Sequence, residues 1–531
     1  MKKLLVVLLA LLMLVGCGQG GKSDEGETVV IYQNENVRKA IAYAIDREAL
    51  AKSLNDGSVG AEGIIPFKLA SNPETGKDFR EDQGSVVAYD VDAAKGYYET
   101  ALEELNKKSL KIDLLYGTNE GDSVIKAADQ IAYYLEEVGF EVNLVAKQKK
   151  ERLSLLTDGD YEVCLTRWGP DYADPQTYMD LFVSTNVSNN SGRYNSAEYD
   201  NLIADALKTT DMKERWQKFL EAEKVLVEKD NAIVPVFQAG GAMIIRPGVG
   251  GIEFHSAAVD NYRHVFGKDT LTLITNTDIL NLDNQVATDG TSFIAQTMFM
   301  GGLTELDESG NPVLDLAESY DVNEDGTVYT FKIRDDANWY NNKGELVAPI
   351  TAYDFEYSWN RLISDELASE YNWWLDTMSV DSWKAIDDKT FEVTLSTPSG
   401  IFLGCLAFPS VFPINQEFAE AQGNQYATSA ETVLNCGPFI LDSWTPDYSY
   451  EFVKNPNYYF ADDYTKAGGA NKVVFRVLAD TQTALMEYEA DKIDTVILAG
   501  EQVDANKNVD GYVDRLQGYL FYLSLNINHY E

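Results

Sequence analysis

The sequence predicts an α/β protein built of several lobes. Three observations support this class: the chain length, a strand–helix–strand pattern in the first half, and a series of strand patterns in the second half. With 531 residues, the chain is long enough for roughly three or four domain-sized units. Hydrophobic residues make up 45% of the chain and aromatic residues 11%, which is ordinary for a globular protein. The net charge of −42 therefore does not indicate disorder.

Helical and strand periodicities alternate in the first half. Apolar residues at helical spacing predict an amphipathic helix that begins near Val37. Further elements are predicted from periodicity and stop signals: a strand over Leu110–Tyr116, a helix over Ser123–Val138, strands over Phe140–Val145 and Tyr161–Thr166, a helix over Met212–Lys229 and a strand over Ile233–Phe237. This order is typical of an α/β lobe.

The second half is richer in strand patterns, which lie between turn signals. The predicted strands are Thr270–Thr275, Val328–Ile333, Thr390–Leu395, Phe439–Trp444, Val473–Leu478 and Leu520–Ile527.

The composition argues against two classes of function. With 85 acidic and 43 basic side chains, the protein would repel phosphate backbones, so we expect no nucleic acid partner. The three histidines have no metal-ligand spacing, and we expect neither a metal nor another cofactor. The common hydrolase and nucleotide-binding motifs are absent from the sequence, so we expect no enzymatic activity. A secreted glycosidase that uses two carboxylates is the disfavoured alternative.

The first residues have the features of a bacterial lipoprotein signal. A basic start precedes twelve apolar residues, Leu4–Val15, fewer than the roughly 18 that a membrane span needs. The run ends in Gly16-Cys17, which is similar to a lipobox, where the cysteine becomes the lipidated N-terminus. An ordinary secretory signal with a chance cysteine is the alternative. We predict a signal peptide over 1–17 with lipidation of Cys17, a flexible tether over 18–34, and a location on the extracytoplasmic face of the cell membrane.

The remaining cysteines are Cys164, Cys405 and Cys436. Their number is odd and no CxxC spacing occurs, so they indicate neither a zinc site nor a redox pair. We expect three buried free thiols, with a Cys405–Cys436 disulfide as the alternative.

Five stretches of the chain resemble the large peptide-binding lipoproteins that serve ABC importers, the extracellular solute-binding proteins of family 5. The most specific stretch is Gly169-Pro170-Asp171-Tyr172, followed by Asp174-Pro175. The other four are Asn36–Arg47; Tyr329–Arg334 with Trp339; Thr351–Phe355 with Trp359 and Arg361; and Gly437-Pro438-Phe439 with Trp444 and Asn455–Tyr458. The resemblance implies a type II periplasmic-binding-protein fold of the large cluster C, in which three lobes form two jaws around a hinge.

The order of the segments differs from that of the family. Residues 29–266 resemble the family's C-terminal half, and residues 269–528 resemble its N-terminal half. The resemblance therefore implies a circular permutation, with the family's native ends joined near 266–269 and the chain opened between Asn528 and Val37. Joining is plausible because the termini of compact domains often lie close together.

The resemblance also implies lobe boundaries. We expect a ligand-binding lobe over 35–235, a first lobe over 236–309 and 425–531, and an extra lobe over 310–424. The opened point is expected where the chain crosses between the jaws, so that one covalent crossing is lost and a second, near Val234–Gln238, remains.

The stretch Arg167–Pro175 follows a predicted strand, where loops often hold binding residues on a rigid scaffold. In the resembling family, the aspartate at the Asp171 position pairs with the α-amino group of a bound peptide, a charge-assisted hydrogen bond. The alternative is a carboxylate in a solvent-facing turn or a helix cap, and this alternative is the favoured one for Asp174.

Four neighbours of Asp171 complete the candidate ligand site. The resemblance implies that Trp168 lines a side-chain pocket, and a core tryptophan is an equal alternative. Gly169 and Tyr172 belong to the same motif. Arg167 is a candidate partner for a peptide's C-terminal carboxylate because its guanidinium is a planar fork.

These observations predict a lipid-anchored, monomeric, extracytoplasmic receptor. Its two jaws would close over an oligopeptide by a hinge motion, and it would pass the ligand to the permease subunits of an ABC importer. A permuted scaffold that retains peptide binding but not transport is the alternative.

Overall fold

The computed structural model describes residues 31–255, 257, 260–461 and 469–527. The predicted signal peptide with Cys17, residues 18–30 of the tether and Asn528 lie outside the described residues. The end of the predicted tether is packed rather than free, because Ile31–Gln33 forms a 3-10 helix in which Tyr32 is buried. No helix among the described residues is both long and apolar enough to span a membrane.

The described strands are β1 Val59–Gly60, β2 Lys111–Gly117, β3 Glu141–Lys147, β4 Val163–Trp168, β5 Ile233–Gln238, β6 Ala242–Ile245, β7 Thr270–Thr275, β8 Thr304–Leu306, β9 Pro312–Leu314, β10 Ala317–Val322, β11 Val328–Ile333, β12 Asn338–Tyr340, β13 Leu346–Pro349, β14 Val380–Asp387, β15 Thr390–Leu395, β16 Phe439–Thr445, β17 Ser449–Lys454, β18 Lys472–Val477, β19 Thr495–Leu498, β20 Tyr512–Asp514 and β21 Leu520–Leu525.

The described α-helices are α1 Glu35–Ala44, α2 Arg47–Leu54, α3 Phe79–Gln83, α4 Val91–Glu104, α5 Asp122–Val138, α6 Lys149–Asp158, α7 Gln176–Met179, α8 Ala197–Lys208, α9 Met212–Glu223, α10 Gly290–Phe299, α11 Ala352–Leu362, α12 Trp374–Thr377, α13 Phe402–Cys405, α14 Gln416–Gln422, α15 Thr481–Glu489 and α16 Glu501–Asn506. A π-helical turn, Lys224–Lys229, continues α9.

The strands form one large sheet in the ligand-binding lobe and smaller sheets elsewhere. The large sheet has the order β1-β5-β21-β4-β2-β3. The first lobe contains the sheets β16-β17-β18-β7 and β19-β6-β20, and the extra lobe contains the antiparallel sheet β10-β11-β15-β14. The α/β class predicted from the sequence is confirmed.

The apolar cores divide the molecule into two jaws. One continuous core extends through the first and extra lobes, from Leu271 and Phe475 to Phe331 and Trp359. The ligand-binding lobe has separate cores against its large sheet. The first and extra lobes share a core that is separate from those of the lobe over 35–235. We call these two parts the jaws and keep the expected lobe names as labels.

Strand pairing changes one predicted boundary. The sequence places residues 425–531 in the first lobe, whereas β21 lies in the large sheet between β5 and β4. All six residues of β21 are buried, which is typical of a central strand covered on both faces. The ligand-binding lobe is thus completed by the last strand of the described chain.

The predicted loss of one crossing between the jaws is also wrong. The chain crosses once between β5 and β6 and again between β20 and β21. The two crossings lie side by side: the Ala239 N–H donates to the Tyr519 carbonyl at 2.9 Å, and the Gln517 N–H donates to the Ala239 carbonyl at 2.9 Å. The proposed opening point follows β21, which is already inside the ligand-binding lobe, so both crossings remain covalent.

The two ends of the described chain meet at Glu162. The Tyr32 hydroxyl donates to the Glu162 carboxylate at 3.3 Å, and the Asn526 N–H donates to the Glu162 carbonyl at 3.0 Å. Ile31 and Ile527 pack against the same apolar core. A continuous chain could therefore join these ends over a short distance.

The three described cysteines are buried free thiols, as predicted, and Cys405 and Cys436 are not joined.

Arg263 organises a buried ionic cluster near the expected joining point. Its guanidinium contacts the Asp315 carboxylate at 3.2 Å and the Glu305 carboxylate at 3.0 Å, and it donates to the Met300 carbonyl at 2.8 Å. The Arg263 side chain is 3% exposed and that of Asp315 is 0% exposed. The cluster joins segments that are distant in the sequence around one desolvated charge.

Replacement of Arg263 by methionine is expected to cost about 3–5 kcal/mol of stability, because it leaves two desolvated carboxylates without their partner. Thermal and urea denaturation measure the loss. The control is Lys332→Met, which breaks an ion pair whose side chains are 52% and 50% exposed and should leave the stability almost unchanged. Equal losses in the two variants would contradict the assignment.

Candidate functional site

The most specific motif of the sequence lies at the C-terminal end of β4, an inner strand of the large sheet. Strand β4 pairs antiparallel with β21, so that Trp168 lies opposite Leu520 and Arg167 lies opposite Phe521. The strand begins and ends two residues later than predicted, so these two candidate residues end the strand rather than begin the loop. The loop over residues 169–175, here called the motif loop, therefore starts from a fixed register.

Two tyrosines fix the start of the motif loop. The ring of Tyr519 lies against Gly169, where an added Cβ atom would come within 2.3 Å of a ring carbon, so a larger residue would displace the ring. The hydroxyl of the fully buried Tyr178 lies 2.5 Å from the Gly518 carbonyl oxygen and 3.1 Å from that of Trp168. Both contacts tie the motif loop to the crossing segment before β21.

Asp171 lies in the motif loop with its side chain exposed to water. The surrounding protein still removes enough solvent to raise the pKa of this carboxyl to about 6. The Asp171 backbone N–H donates to Thr177 Oγ1 at 2.9 Å, whereas the carboxylate has no ion-pair partner among the residues that the structure describes. This is a carboxylate without a countercharge, which can accept a cation.

Tyr371 of the extra lobe lies on the side of Asp171 that faces the other jaw. Burial, followed by the charge of Asp171, raises the pKa of Tyr371 to about 12. Since Tyr371 and Asp171 belong to opposite jaws, the carboxylate lies at the boundary between them. A group bound to Asp171 would therefore lie near both jaws.

Asp174, three residues after Asp171, has a different role. It accepts a bidentate pair of hydrogen bonds from Arg215, at 2.6 Å from Nη1 and 2.7 Å from Nη2. It also accepts from the Gln176 N–H at 2.9 Å, at the start of α7. Asp174 is thus a structural residue, but it is part-buried and paired with Arg215 rather than facing solvent in a turn or capping a helix as predicted. Its neutralised charge leaves Asp171 as the available carboxylate of the motif loop.

Trp168 and Arg167 line a cavity of about 120 Å³ within the ligand-binding lobe. Leu153 and Tyr522 contribute to its apolar wall. The indole N–H of Trp168 is buried and has no acceptor among the described residues, so it is available to a ligand or a water molecule. The guanidinium carbon of Arg167 lies 4.5 Å from the centre of the Tyr519 ring, a cation–π contact.

Tyr172 connects the motif loop to the opposite jaw. It is 7% exposed and belongs to the apolar core of the first and extra lobes. Its ring meets that of Trp374 edge to face, with 6.4 Å between the ring centres. Tyr172 is therefore a link between the jaws, and its direct contact with a ligand stays a prediction.

Sequence reasoning missed four residues that shape the site: Tyr178, Arg215, Tyr371 and Tyr519. Tyr519 had one usable signal, its position directly before a predicted strand, whereas the partners of the other three are set by tertiary contacts. In the described part of the chain, no three His, Cys, Asp or Glu side chains are grouped so as to hold a metal ion.

The chain is similar to a known family of proteins over most of its length. The model of the family described as "Bacterial extracellular solute-binding proteins, family 5 Middle" matches residues 28–190 and 311–530, more than half of the chain. A dipeptide-binding protein of Lactococcus lactis is 31% identical over 271 residues, which cover 47% of this chain and 47% of that protein. The oligopeptide-binding protein OppA of Bacillus subtilis is 28% identical over 244 residues, 43% of each chain.

Among solved structures, the one titled "Listeria monocytogenes OppA bound to peptide" is 31% identical to this chain. It covers 46% of this chain and 49% of its own, with a TM-score of 0.42. The chain thus spans about half the length of the curated relatives that it matches.

Asp180, behind the motif loop, is expected to make the stability of the unliganded protein depend on pH. Burial raises its pKa to about 7, helped by the charges of Asp171 and Asp174. A raised carboxyl pKa means that the folded state holds a proton that the unfolded state has released, so stability decreases as pH rises from about 4 to about 7.

The variant Asp180→Asn should therefore be more stable than the natural protein at pH 8, by on the order of 1 kcal/mol, and the difference should vanish near pH 4. Thermal denaturation across this pH range measures it. Asp381→Asn, on the exposed face of β14, is the matched control. A gain at pH 8 that persists at pH 4 would contradict the assignment to ionisation.

Proposed function

The chain belongs to the bacterial extracellular solute-binding proteins of family 5. We propose that it captures oligopeptides by binding their α-amino group. The family consists of binding proteins with a type II periplasmic-binding fold rather than of enzymes. The observation that carries the proposal is the Asp171 carboxylate, which lies between the jaws without a countercharge among the described residues. The names of the relatives, dipeptide- and oligopeptide-binding proteins, support peptides as the ligand class.

The α-amino group of a peptide suits this carboxylate. An ammonium group would form a charge-assisted hydrogen bond with Asp171 and remove the energetic cost of its partly desolvated charge. Tyr371 and Tyr519 would enclose the ammonium from opposite jaws. The cavity beside Trp168 and Arg167 would receive a side chain near the peptide's N-terminus, where hydration allows varied residues.

The two jaws provide the closing motion that we propose. The adjacent crossings at Ala239 and Gln517 would serve as a hinge, and peptide contacts made by both jaws would favour the closed state. The peptide would then pass to the permease subunits of an ABC importer. We propose that the receptor is a monomer attached to the outer face of the membrane through a lipid on Cys17.

We also propose the permuted order. It is supported by the meeting of the described chain ends at Glu162 and by the order of the family segments along the sequence. Because both crossings between the jaws remain covalent, the permutation would leave the hinge intact.

The variant Asp171→Asn is expected to lose about 2–5 kcal/mol of affinity for a peptide with a free α-amino group, because it removes one partner of an enclosed charge pair. Isothermal titration calorimetry with a mixture of free-amine peptides, and then with single sequences, measures the loss. The same peptides with an acetylated N-terminus are the control, since they should bind the natural protein and the variant equally weakly. Unchanged affinity of Asp171→Asn for free-amine peptides would refute the proposal.

Peptide affinity is expected to depend on pH through Asp171. Below about pH 6 the carboxyl of the free protein becomes protonated, so binding an ammonium group must first release that proton. Above about pH 8 the peptide's own α-amino group loses its charge. Affinity should therefore be highest between about pH 6 and about pH 8. Below about pH 6 it should decrease by up to about tenfold per pH unit. Titrations from pH 4.5 to about pH 9 check this, and the decrease on the acidic side should be absent in Asp171→Asn.

A further inference from the structure

A second cavity lies between the jaws, lined by Tyr172, Ala173 and Asp174 of the motif loop but not by Asp171. Its volume is about 520 Å³. This is within the range of pockets that bind small molecules, and it is more than three times the ~150 Å³ cavity that holds benzene in another protein. The cavity is partly open to solvent, so a small molecule can enter it, and its size suits a ligand rather than a single water molecule. We call it the seam cavity.

Both jaws contribute apolar side chains to the wall of the seam cavity. The ligand-binding lobe provides Tyr172 and Trp216, and the extra lobe provides Tyr329, Ile401 and Leu403. Asp171 is not part of the wall, although Tyr172 and Asp174 of the motif loop are. The seam cavity is therefore separate from the proposed site for the peptide's amino group and shares one loop with it.

Close contacts between the jaws lie beside the seam cavity. A Cβ atom on Gly400 would come within 2.8 Å of Arg215 Nε, so the backbone of the extra lobe packs directly on this arginine. The Ser71 hydroxyl lies 3.4 Å from the Ser309 carbonyl oxygen, which links the jaws at a second point. The seam cavity is thus present only while the jaws are in contact.

The charges on the wall determine the chemistry of the occupant. Arg215 and Asp174 neutralise each other through two hydrogen bonds, and Arg215 is 3% exposed. Glu324 lies in an exposed turn at the rim. Since neither charge of the buried pair is available, an ionic ligand would lose its hydration without gaining a partner.

We propose that the seam cavity binds an uncharged, largely apolar small molecule at a site distinct from Asp171. Because the occupant contacts both jaws, it stabilises the arrangement in which they meet. Through the motif loop, it also holds Tyr172 in the apolar core of the opposite jaw. The protein thus has a second ligand whose binding does not require a peptide.

Gly404 provides a direct test. It lies on the wall of the seam cavity, and a Cβ atom at this position meets no atom within 4 Å. The variant Gly404→Phe should therefore fill the space without displacing its neighbours. Gly96 on α4 has the same free space and is not part of the wall, so Gly96→Phe is the matched control.

The probe is N-phenyl-naphthylamine, an uncharged aromatic fluorophore, titrated into the full chain without peptide. Saturable binding of one molecule per chain is expected. Gly404→Phe should weaken it on the order of tenfold or more, whereas Gly96→Phe should leave it unchanged. Circular dichroism establishes that each variant is folded. If Gly404→Phe does not fold, Leu403→Asp takes its place, because it adds a charge to the apolar wall.

The absence of saturable binding would overturn the proposal. Equal affinity of the natural protein and a folded Gly404→Phe or Leu403→Asp variant would also overturn it, since the fluorophore would then bind elsewhere. Peptide affinity is measured separately through Asp171→Asn, so failure of the proposed peptide function would leave this result interpretable.

Discussion

The insertion of β21 between β4 and β5 is the interaction on which the rest of the structure depends. This buried strand lies in the middle of the large sheet, although it comes from the end of the described chain. Its pairing with β4 sets the register of Arg167 and Trp168, and the segment before it provides Tyr519 and the Gly518 carbonyl that fix the motif loop. The ligand-binding lobe and the candidate site therefore form only when both halves of the chain are together.

The motif loop gives opposite roles to two carboxylates that are three residues apart. Asp174 is paired with Arg215 and stabilises the start of α7, while Asp171 is left without a countercharge. An unpaired carboxylate with a pKa raised to about 6 destabilises the folded state at neutral pH, and a bound ammonium group would reverse that cost. A free carboxylate gives the fold no benefit of its own, which supports the binding role proposed for Asp171.

Elements whose signal is local were predicted correctly from the sequence. Strands such as Val328–Ile333 and Thr390–Leu395 have clear alternation and were predicted at their observed bounds. The end of β4 was not predicted, because Arg167 and Trp168 are held in the sheet by partners more than 350 residues away. For the same reason, the Arg215 partner of Asp174 and the position of Tyr371 opposite Asp171 could not be read from the sequence. The motif indicated the carboxylate, and tertiary contacts determined which of the two is available.

The proposed permutation is compatible with a two-jaw protein because its opening point would lie outside both crossings between the jaws. A hinge needs its two crossings to stay aligned, and here the Ala239 and Gln517 segments hydrogen-bond to each other as they pass between the jaws. An opening within a crossing would release one side of the hinge. An opening after β21 instead falls inside one jaw, at Glu162, where both ends are held by hydrogen bonds and by the same apolar core. Since closing a short loop there changes the chain entropy little, the proposed change in segment order would leave the proposed hinge motion of the jaws intact.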